Sequence, residues 1–402
     1  MSTKIPSQEQ SIRDIQHFGE EGGVVPVIDL ASTSTFLNPS DMERVFNGEL
    51  GGCYLYSRHS NPTVAAFGKK IAAMEGMEAA LGLSSGMAAI NCAIEQSMPV
   101  GGHLISSRTV YGGTYALLAN LLPRRGIQVT FVDPDRPDEI EKAIRPDTKV
   151  IYTESVSNPM LSISNLRALG EIAKKHKVKL IVDNTFAPLI ISPAKFGADI
   201  VVYSCTKYIS GASDMIAGAI ISNAEFINSL VDLNTGVAML TGPVMDPRVA
   251  HELYLRLDHL PLRMRAHSEV AADLAQAMKD EGVKVIYPGL KDHAQFDMMN
   301  TMMNRGYGYG GMITIDCKSP ENAMKLASRL QDEKFGLYAV SLGFSRTLMS
   351  CPALSTSSEI PQEEQSKIGL SPGLLRLSIG FCGDSEVMKQ RFFRCYREIF
   401  KS

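Results

Sequence analysis

The chain has no tryptophan, and its charges of both signs are nearly balanced, with 40 basic and 43 acidic residues among 402. Without a basic run or an acidic tail, binding to nucleic acid or to an anionic membrane has no electrostatic support. The seven cysteines, at positions 53, 92, 205, 317, 351, 382 and 395, are odd in number and contain no C-x-x-C pair. They read as reduced thiols rather than a disulfide framework. The eight histidines make no H-x-x-x-H or H-x-H spacing, so no metal site is expected. No apolar stretch reaches the length of a membrane span, and the polar opening MSTKIPSQEQSIRDIQHFGEE lacks the apolar core of a signal peptide. A cytoplasmic location is the expectation. There is also no G-x-G-x-x-G followed by a suitably placed acid, which counts against a dinucleotide-dependent dehydrogenase.

What is present is the composition of a globular enzyme, 45% hydrophobic and 21% charged, long enough for two or three domains. The chain is organised around residues 198–222, ADIVVYSCTKYISGASDMIAGAIIS, which set Lys207 among hydroxyl residues between two apolar strand-like runs. The β-branched run Ile200, Val201, Val202 suits a strand buried on both faces. A lysine just past such a strand sits in low dielectric, where its charged form is disfavoured and its amine can form a Schiff base. Ser204 and Thr206, at i−3 and i−1, are placed to bind an anion such as a phosphate monoester. Upstream, the apolar strand in KLIVDNTF (179–186) ends in Asp183. Pyridoxal phosphate needs such a carboxylate to keep its pyridinium nitrogen protonated. Taken singly, Asp183 also reads as a helix cap and Lys207 as a solvated lysine.

Around this centre the pattern predicts alternating strands and helices. Residues 1–62 form an arm ending in YLYSRHSNPT, where Tyr56 and Arg58 precede an Asn-Pro turn and could bind phosphate or simply sit on a surface turn. A helix over 64–77 leads to a strand, a tight turn at Ser85-Gly86-Met87 and a helix, whose first N–H groups can accept a phosphate. Strands follow at 103–107, 129–133 and 150–154, with helices from about 113, near 138–144 and near 165–176. The implied sheet is mainly parallel, with helices on both faces. Its ligand-binding rim, at the carboxyl ends of the strands, would carry Ser85, Tyr111, Glu154, Asn158, Asp183 and Lys207. Beyond Leu253 a continuous helical pattern leads into a smaller α+β unit. This unit has strands in YGYGGMITID (307–316), in YAVSLG (338–343, ending in Ser341) and in LSPGLLRLSIG (370–380). In the last of these Arg376 faces away from Leu375 and Leu377, either into a cleft where it could capture a carboxylate or out from an edge strand.

The segments Y-S-R (56–58), S-S-G-M (84–87), Y-G-G-T (111–114), D-N-T (183–185), S-C-T-K (204–207), S-L-G (341–343) and L-L-R-L-S-I-G (374–380), in this order and spacing, resemble one family. It is the cystathionine γ-synthase/methionine γ-lyase group of fold-type I pyridoxal-phosphate enzymes, and its plant-type methionine γ-lyases look most similar. The resemblance implies an α/β fold, with a pyridoxal-phosphate-binding large domain at 63–258 and a small C-terminal domain at 259–402. It implies that Lys207 holds the cofactor, that Asp183 pairs with its ring nitrogen and that Tyr111 stacks on the ring. Gly86, Met87, Ser204 and Thr206 would bind the phosphate, with Tyr56 and Arg58 contributed by a neighbouring subunit. Asn158, and with it Glu154, would lie near the ring oxygen, while Ser341 and Arg376 would receive the substrate carboxylate. A homotetramer built as a dimer of dimers is implied as well. Two departures bear on substrate: Tyr203 stands where many members have histidine, and Gly113 where some bacterial methionine lyases carry cysteine.

The activity so implied is α,γ-elimination of L-methionine to methanethiol, 2-oxobutanoate and ammonia, with Tyr111 as the acid for the leaving thiolate and Arg58 helping it to ionise. Val340, directly before Ser341, offers an apolar pocket contact where cystathionine-handling members often carry glutamate. Cystathionine γ-synthesis, cystathionine γ- or β-cleavage and sulfhydrylation of an O-acylhomoserine remain alternatives on the same scaffold.

Overall fold

A computed structural model describes residues 7–15, 23–47, 49–50, 52–133 and 136–400; the remaining residues of the expected arm lie outside the described set. The large sheet has seven strands: β1 (Ala79–Leu83), β2 (His103–Ser107), β3 (Gln128–Val132), β4 (Thr148–Glu154), β5 (Lys179–Asp183), β6 (Ile200–Ser204) and β7 (Gly218–Ser222). They lie in the order β1-β7-β6-β5-β4-β2-β3. β7 runs antiparallel to both neighbours, and the other pairings are parallel. The strands β4, β5 and β6 are buried along nearly their whole length, as their uninterrupted apolar runs require when both faces are covered.

Because all strands but β7 point the same way, Ser85, Glu154, Asp183 and Ser204 follow or end strands at one edge of the sheet. Helix Pro62–Glu75 enters under a strong local signal: the Asn61 side chain accepts from the N–H groups of Thr63 and Val64, with Pro62 at the first turn. The same signal, Asn38 before Pro39, opens a helix at Pro39–Phe46 inside the arm, where no helix was expected. The helical pattern beyond Leu253 is not continuous; it divides at His259 into Pro247–Asp258 and Leu260–Asp280. Among the described residues no helix is long and apolar enough to cross a membrane.

The second sheet has the order β10-β11-β12-β9-β8, made of β8 (Val285–Ile286), β9 (Met312–Asp316), β10 (Leu337–Tyr338), β11 (Leu348–Ser350) and β12 (Leu374–Ser378). Arg376 therefore lies on a central strand, paired with Thr314 and Ser350 on either side, and the edge-strand reading fails. The strand expected to end in Ser341 stops at Tyr338, after two register pairs with β11. From there the chain crosses to the large sheet. Gly343, at φ +76°, packs so tightly on the Lys207 turn that a Cβ would lie 2.6 Å from the Tyr208 nitrogen. That crossing brings Ser341 to Lys207.

Candidate active site

At the carboxyl edge of the large sheet, where the second sheet leans over it, a cavity of about 270 Å³ opens to solvent. Its lining includes Gly86, Met87, Tyr111, Asn158, Asp183 and Ser204, together with Thr206, Lys207, Val340, Ser341 and Arg376. Residues far apart in sequence thus converge because strand ends and one inter-sheet crossing meet here.

Lys207 sits one turn past β6, its Nζ donating to Ser341 Oγ at 3.3 Å. It is part-buried in the cavity wall, and no carboxylate pairs with it among the described residues, so the reading as a freely solvated lysine does not hold. Burial, then the nearby Arg376 cation, lowers its pKa to about 8. On the adjacent strand Asp183 is buried, and its Oδ1 accepts the Thr185 N–H at 2.9 Å. It caps no helix. Its register partner on β4 is Glu154, also buried, which accepts N–H bonds from Tyr111 (2.7 Å) and Asn158 (3.1 Å). Burial and then the charge of Asp183 push Glu154 up to about 8, and burial raises Asp183 as well. Two carboxylates side by side cannot both ionise cheaply here, so a cation placed at Asp183 would draw the negative charge to that member of the pair.

Below the lysine, helix Gly86–Ser97 presents its N-terminus to the cavity. The Ser85 side chain accepts from the Ala88 N–H, and the N–H groups of Gly86 and Met87 have no partner within the helix. Only glycine fits at 86: a Cβ would lie 2.6 Å from the Cβ of Ser204. The Thr206 hydroxyl, expected to face an anion, instead donates to the Ala217 carbonyl (3.2 Å) and accepts its N–H (3.0 Å).

At the opposite end stands Arg376, 2% exposed, donating to Asn158 Oδ1 at 2.8 Å and to the Ser341 carbonyl at 3.3 Å. No acidic side chain pairs with it among the described residues, and burial depresses its pKa to about 10. A buried guanidinium left without an anion is poised to take one. Val340 is 63% exposed at the rim, so it is not a core residue.

Two predicted residues are absent from this cavity. Tyr56 is half exposed, and Arg58 stacks near its ring while donating to the Met239 carbonyl at 2.8 Å. Within one chain Arg58 does not influence Tyr111, whose pKa is raised, first by burial and then by the Glu359 carboxylate, with Arg376 opposing and Glu154 adding. The expectation that Arg58 eases its ionisation therefore has no basis in the single chain. Sequence reasoning also missed Thr185, Phe186, Ile216 and Thr356 in the lining. Only Thr185 carried a signal, as the third residue of D-N-T; the Ile216 and Thr356 loops show no periodicity.

Comparison with known proteins agrees with this architecture. Residues 10–389 match the family model described as Cys/Met metabolism PLP-dependent enzyme. A methionine gamma-lyase of Arabidopsis thaliana is 46% identical over 96% of this chain and 89% of its own length. A cystathionine gamma-lyase of Bacillus subtilis is 38% identical over 81% of this chain and 84% of its own. Among solved structures, a Campylobacter jejuni chain described as an O-acetylhomoserine (thiol)-lyase, carrying pyridoxyl-lysine-monophosphate, superposes with a TM-score of 0.90 at 28% identity, covering 97% of this chain and 99% of that one. The strand-end lysine, the buried carboxylate and a match along nearly the whole sequence lead to one conclusion: the chain belongs to the pyridoxal-phosphate-dependent enzymes of cysteine and methionine metabolism.

Proposed function

We propose that the protein cleaves L-methionine by α,γ-elimination to methanethiol, 2-oxobutanoate and ammonia. One observation carries the proposal: a lysine of lowered pKa, a buried carboxylate, a free helix N-terminus and an unpaired buried arginine line a single cavity. These donors fit pyridoxal phosphate, since the close approach of Gly86 to Ser204 leaves backbone N–H groups open to a phosphate. When bound, the cofactor supplies the electron sink that carbanion chemistry at an amino acid requires.

The chain's own residues divide the remaining work. Gly86, Met87 and Ser204 would hold the phosphate, joined by Thr206 if its hydroxyl turns from Ala217. Asp183 would keep the ring nitrogen protonated, and Asn158 would serve the ring oxygen. Lys207 would hold the cofactor, and its Nζ, when free, would take the α-proton, a role that its pKa lowered to about 8 suits. Arg376 receives the α-carboxylate through a two-pronged hydrogen bond, with Ser341 alongside. The phenol of Tyr111, held protonated, gives its proton to the sulfur as the Cγ–S bond breaks. Val340 and Ile216 give the entrance an apolar lining suited to a thioether methyl. Cleavage of cystathionine is the second reading, favoured by relatives of that name, but its distal ammonium finds no acid at Val340.

The same reading assigns residues 1–62 to an inter-subunit arm, 63–258 to the cofactor domain and 259–402 to the small domain. The exposed apolar arm residues Val24, Val27, Leu30 and Leu37 are suited to burial against a second copy, whose cavity would receive Tyr56 and Arg58. A cytoplasmic homotetramer completes the proposal. Purified holoenzyme with L-methionine should release methanethiol and 2-oxobutanoate in equal amounts, and borohydride should fix the cofactor to Lys207. An adduct on another lysine, or turnover surviving in Lys207→Ala, would contradict the assignment.

A further inference from the structure

β4 ends in Glu154, a residue whose backbone and side chain are both fixed by hydrogen bonds. Its carbonyl accepts the Ser164 hydroxyl at 2.7 Å, and it pairs in register with Asp183. From this base the carboxyl, 5% exposed, reaches two separate segments of the chain. Oε1 accepts the Tyr111 N–H at 2.7 Å and Oε2 the Asn158 N–H at 3.1 Å. The two segments carry working groups from different walls of the cavity. The Tyr111 ring folds back over its own turn: a Cβ at Gly113 would lie 2.6 Å from Tyr111 Cε1, so the place of the phenol follows the backbone beneath it. Asn158 in turn offers its side-chain Oδ1 to Arg376 Nη1 at 2.8 Å. One carboxyl thus ties the backbone under the phenol to the residue that holds the guanidinium.

We propose that Glu154 is a positioning residue, a brace whose two oxygens set the spacing between the Tyr111 phenol and the Arg376 guanidinium across the cavity. The inference rests on the γ-elimination reading above, in which those two groups serve the departing sulfur and the substrate carboxylate. Small displacements matter there. A proton passes only between atoms at hydrogen-bond distance, and a guanidinium grips a carboxylate through a rigid fork. This role differs from the one expected of Glu154 at the ring oxygen, since both of its oxygens are engaged by backbone N–H groups. The nearness of Asp183 does not undo the brace: each carboxyl oxygen keeps a lone pair for its N–H whether Glu154 is ionised or protonated. Both bonds lie within one chain, so the brace is complete before a second subunit brings Tyr56 and Arg58 to the cavity.

The test is Glu154→Gln in the full chain, a variant of equal shape whose amide oxygen can accept one of the two N–H bonds while its NH2 group cannot accept the other. The first readout needs no turnover. In protein prepared without cofactor, hydrogen exchange read at single amides should show at least one of Tyr111 and Asn158 exchanging about tenfold faster than in wild type, with Ile151 and Tyr152 in β4 unchanged. Wild-type rates at both amides would overturn the proposal. So would acceleration of the β4 amides along with them, the mark of a fold merely loosened. Steady-state kinetics with methionine, normalised to bound cofactor, should then follow the arm that was freed. A freed Tyr111 should lower kcat several-fold with KM little changed, whereas a freed Asn158 should raise KM several-fold, because Arg376 loses its fixed partner. Unchanged kcat and KM, or a loss accounted for by cofactor content alone, would refute the positioning role. A wild type inert towards methionine would refute the γ-elimination reading instead, and the exchange rates would still decide whether the brace exists.

Discussion

Replacing Arg376 by methionine should uncouple stability from activity. The guanidinium is 2% exposed, and burial lowers its pKa from 12.5 to about 10, which corresponds to roughly 3 kcal/mol of disfavoured charge in the folded protein. Against this stand two hydrogen bonds from the charged guanidinium, to Asn158 and to the Ser341 carbonyl, worth about 1.5–3 kcal/mol each, so the two effects nearly cancel or leave a small net loss. Methionine approximates the volume, so little cavity cost is added. The cofactor-free variant should therefore melt within about 5 °C of wild type, a smaller change than most losses of a buried polar side chain bring. Activity should collapse. A charge-assisted pair with the substrate carboxylate is worth about 2–5 kcal/mol, so kcat/KM for methionine should fall by at least about thirtyfold, with KM rising. Differential scanning calorimetry and steady-state kinetics read the two effects. A Tm lowered by more than about 5 °C with KM unchanged would mean that Arg376 is structural and that the unpaired-cation argument is wrong.

Val340→Glu, at an exposed rim position, should leave Tm unchanged while shifting preference from methionine towards cystathionine by about 1–3 kcal/mol in relative kcat/KM. Parallel loss on both substrates would contradict this. Co-expressed Arg58→Ala and Lys207→Ala subunits should recover activity in hybrids if Arg58 completes a neighbour's site; hybrids no better than either parent would remove the case for sharing. Glu75 is buried against Tyr203 and Asn184, and burial raises its pKa to about 7. A carboxyl whose folded pKa is raised contributes stability below its unfolded value near 4.5, and that stability is lost as pH climbs through about 7. Glu75→Gln should thus gain on wild type between pH 5 and pH 8 in denaturant melts, and a constant difference across that range would argue against the assignment.

Much of this site could be read from the chain because its parts lie at strand ends. The run at 103–107 forms a strand over those same residues, and Asp183 and Lys207 stand on or just past neighbouring strands with unmistakable β-branched runs. The alternation of period two around Arg376 also survives in β12. What escaped was set by tertiary contact. β10 pairs with β11 only through Leu337 and Tyr338, a fact of tertiary pairing rather than propensity. Thr356 reaches the cavity from a loop without periodicity, so only the packing of Gly112 against that loop reveals it. The Pro39–Phe46 helix is a different kind of miss: its Asn-Pro entry was present in the sequence and carried the same capping chemistry as Asn61-Pro62.

The measurement that bears most directly on the central claim is a competition. Holoenzyme should be given equimolar L-methionine and L-cystathionine in one vessel, with methanethiol, cysteine and 2-oxobutanoate followed together by mass spectrometry. Methanethiol should appear first and in the larger amount, matched by 2-oxobutanoate, and Lys207→Ala should form neither product. If cysteine or homocysteine dominates while methionine is left intact, the apolar rim at Val340 does not select the substrate and the protein is a cystathionine enzyme on the same scaffold.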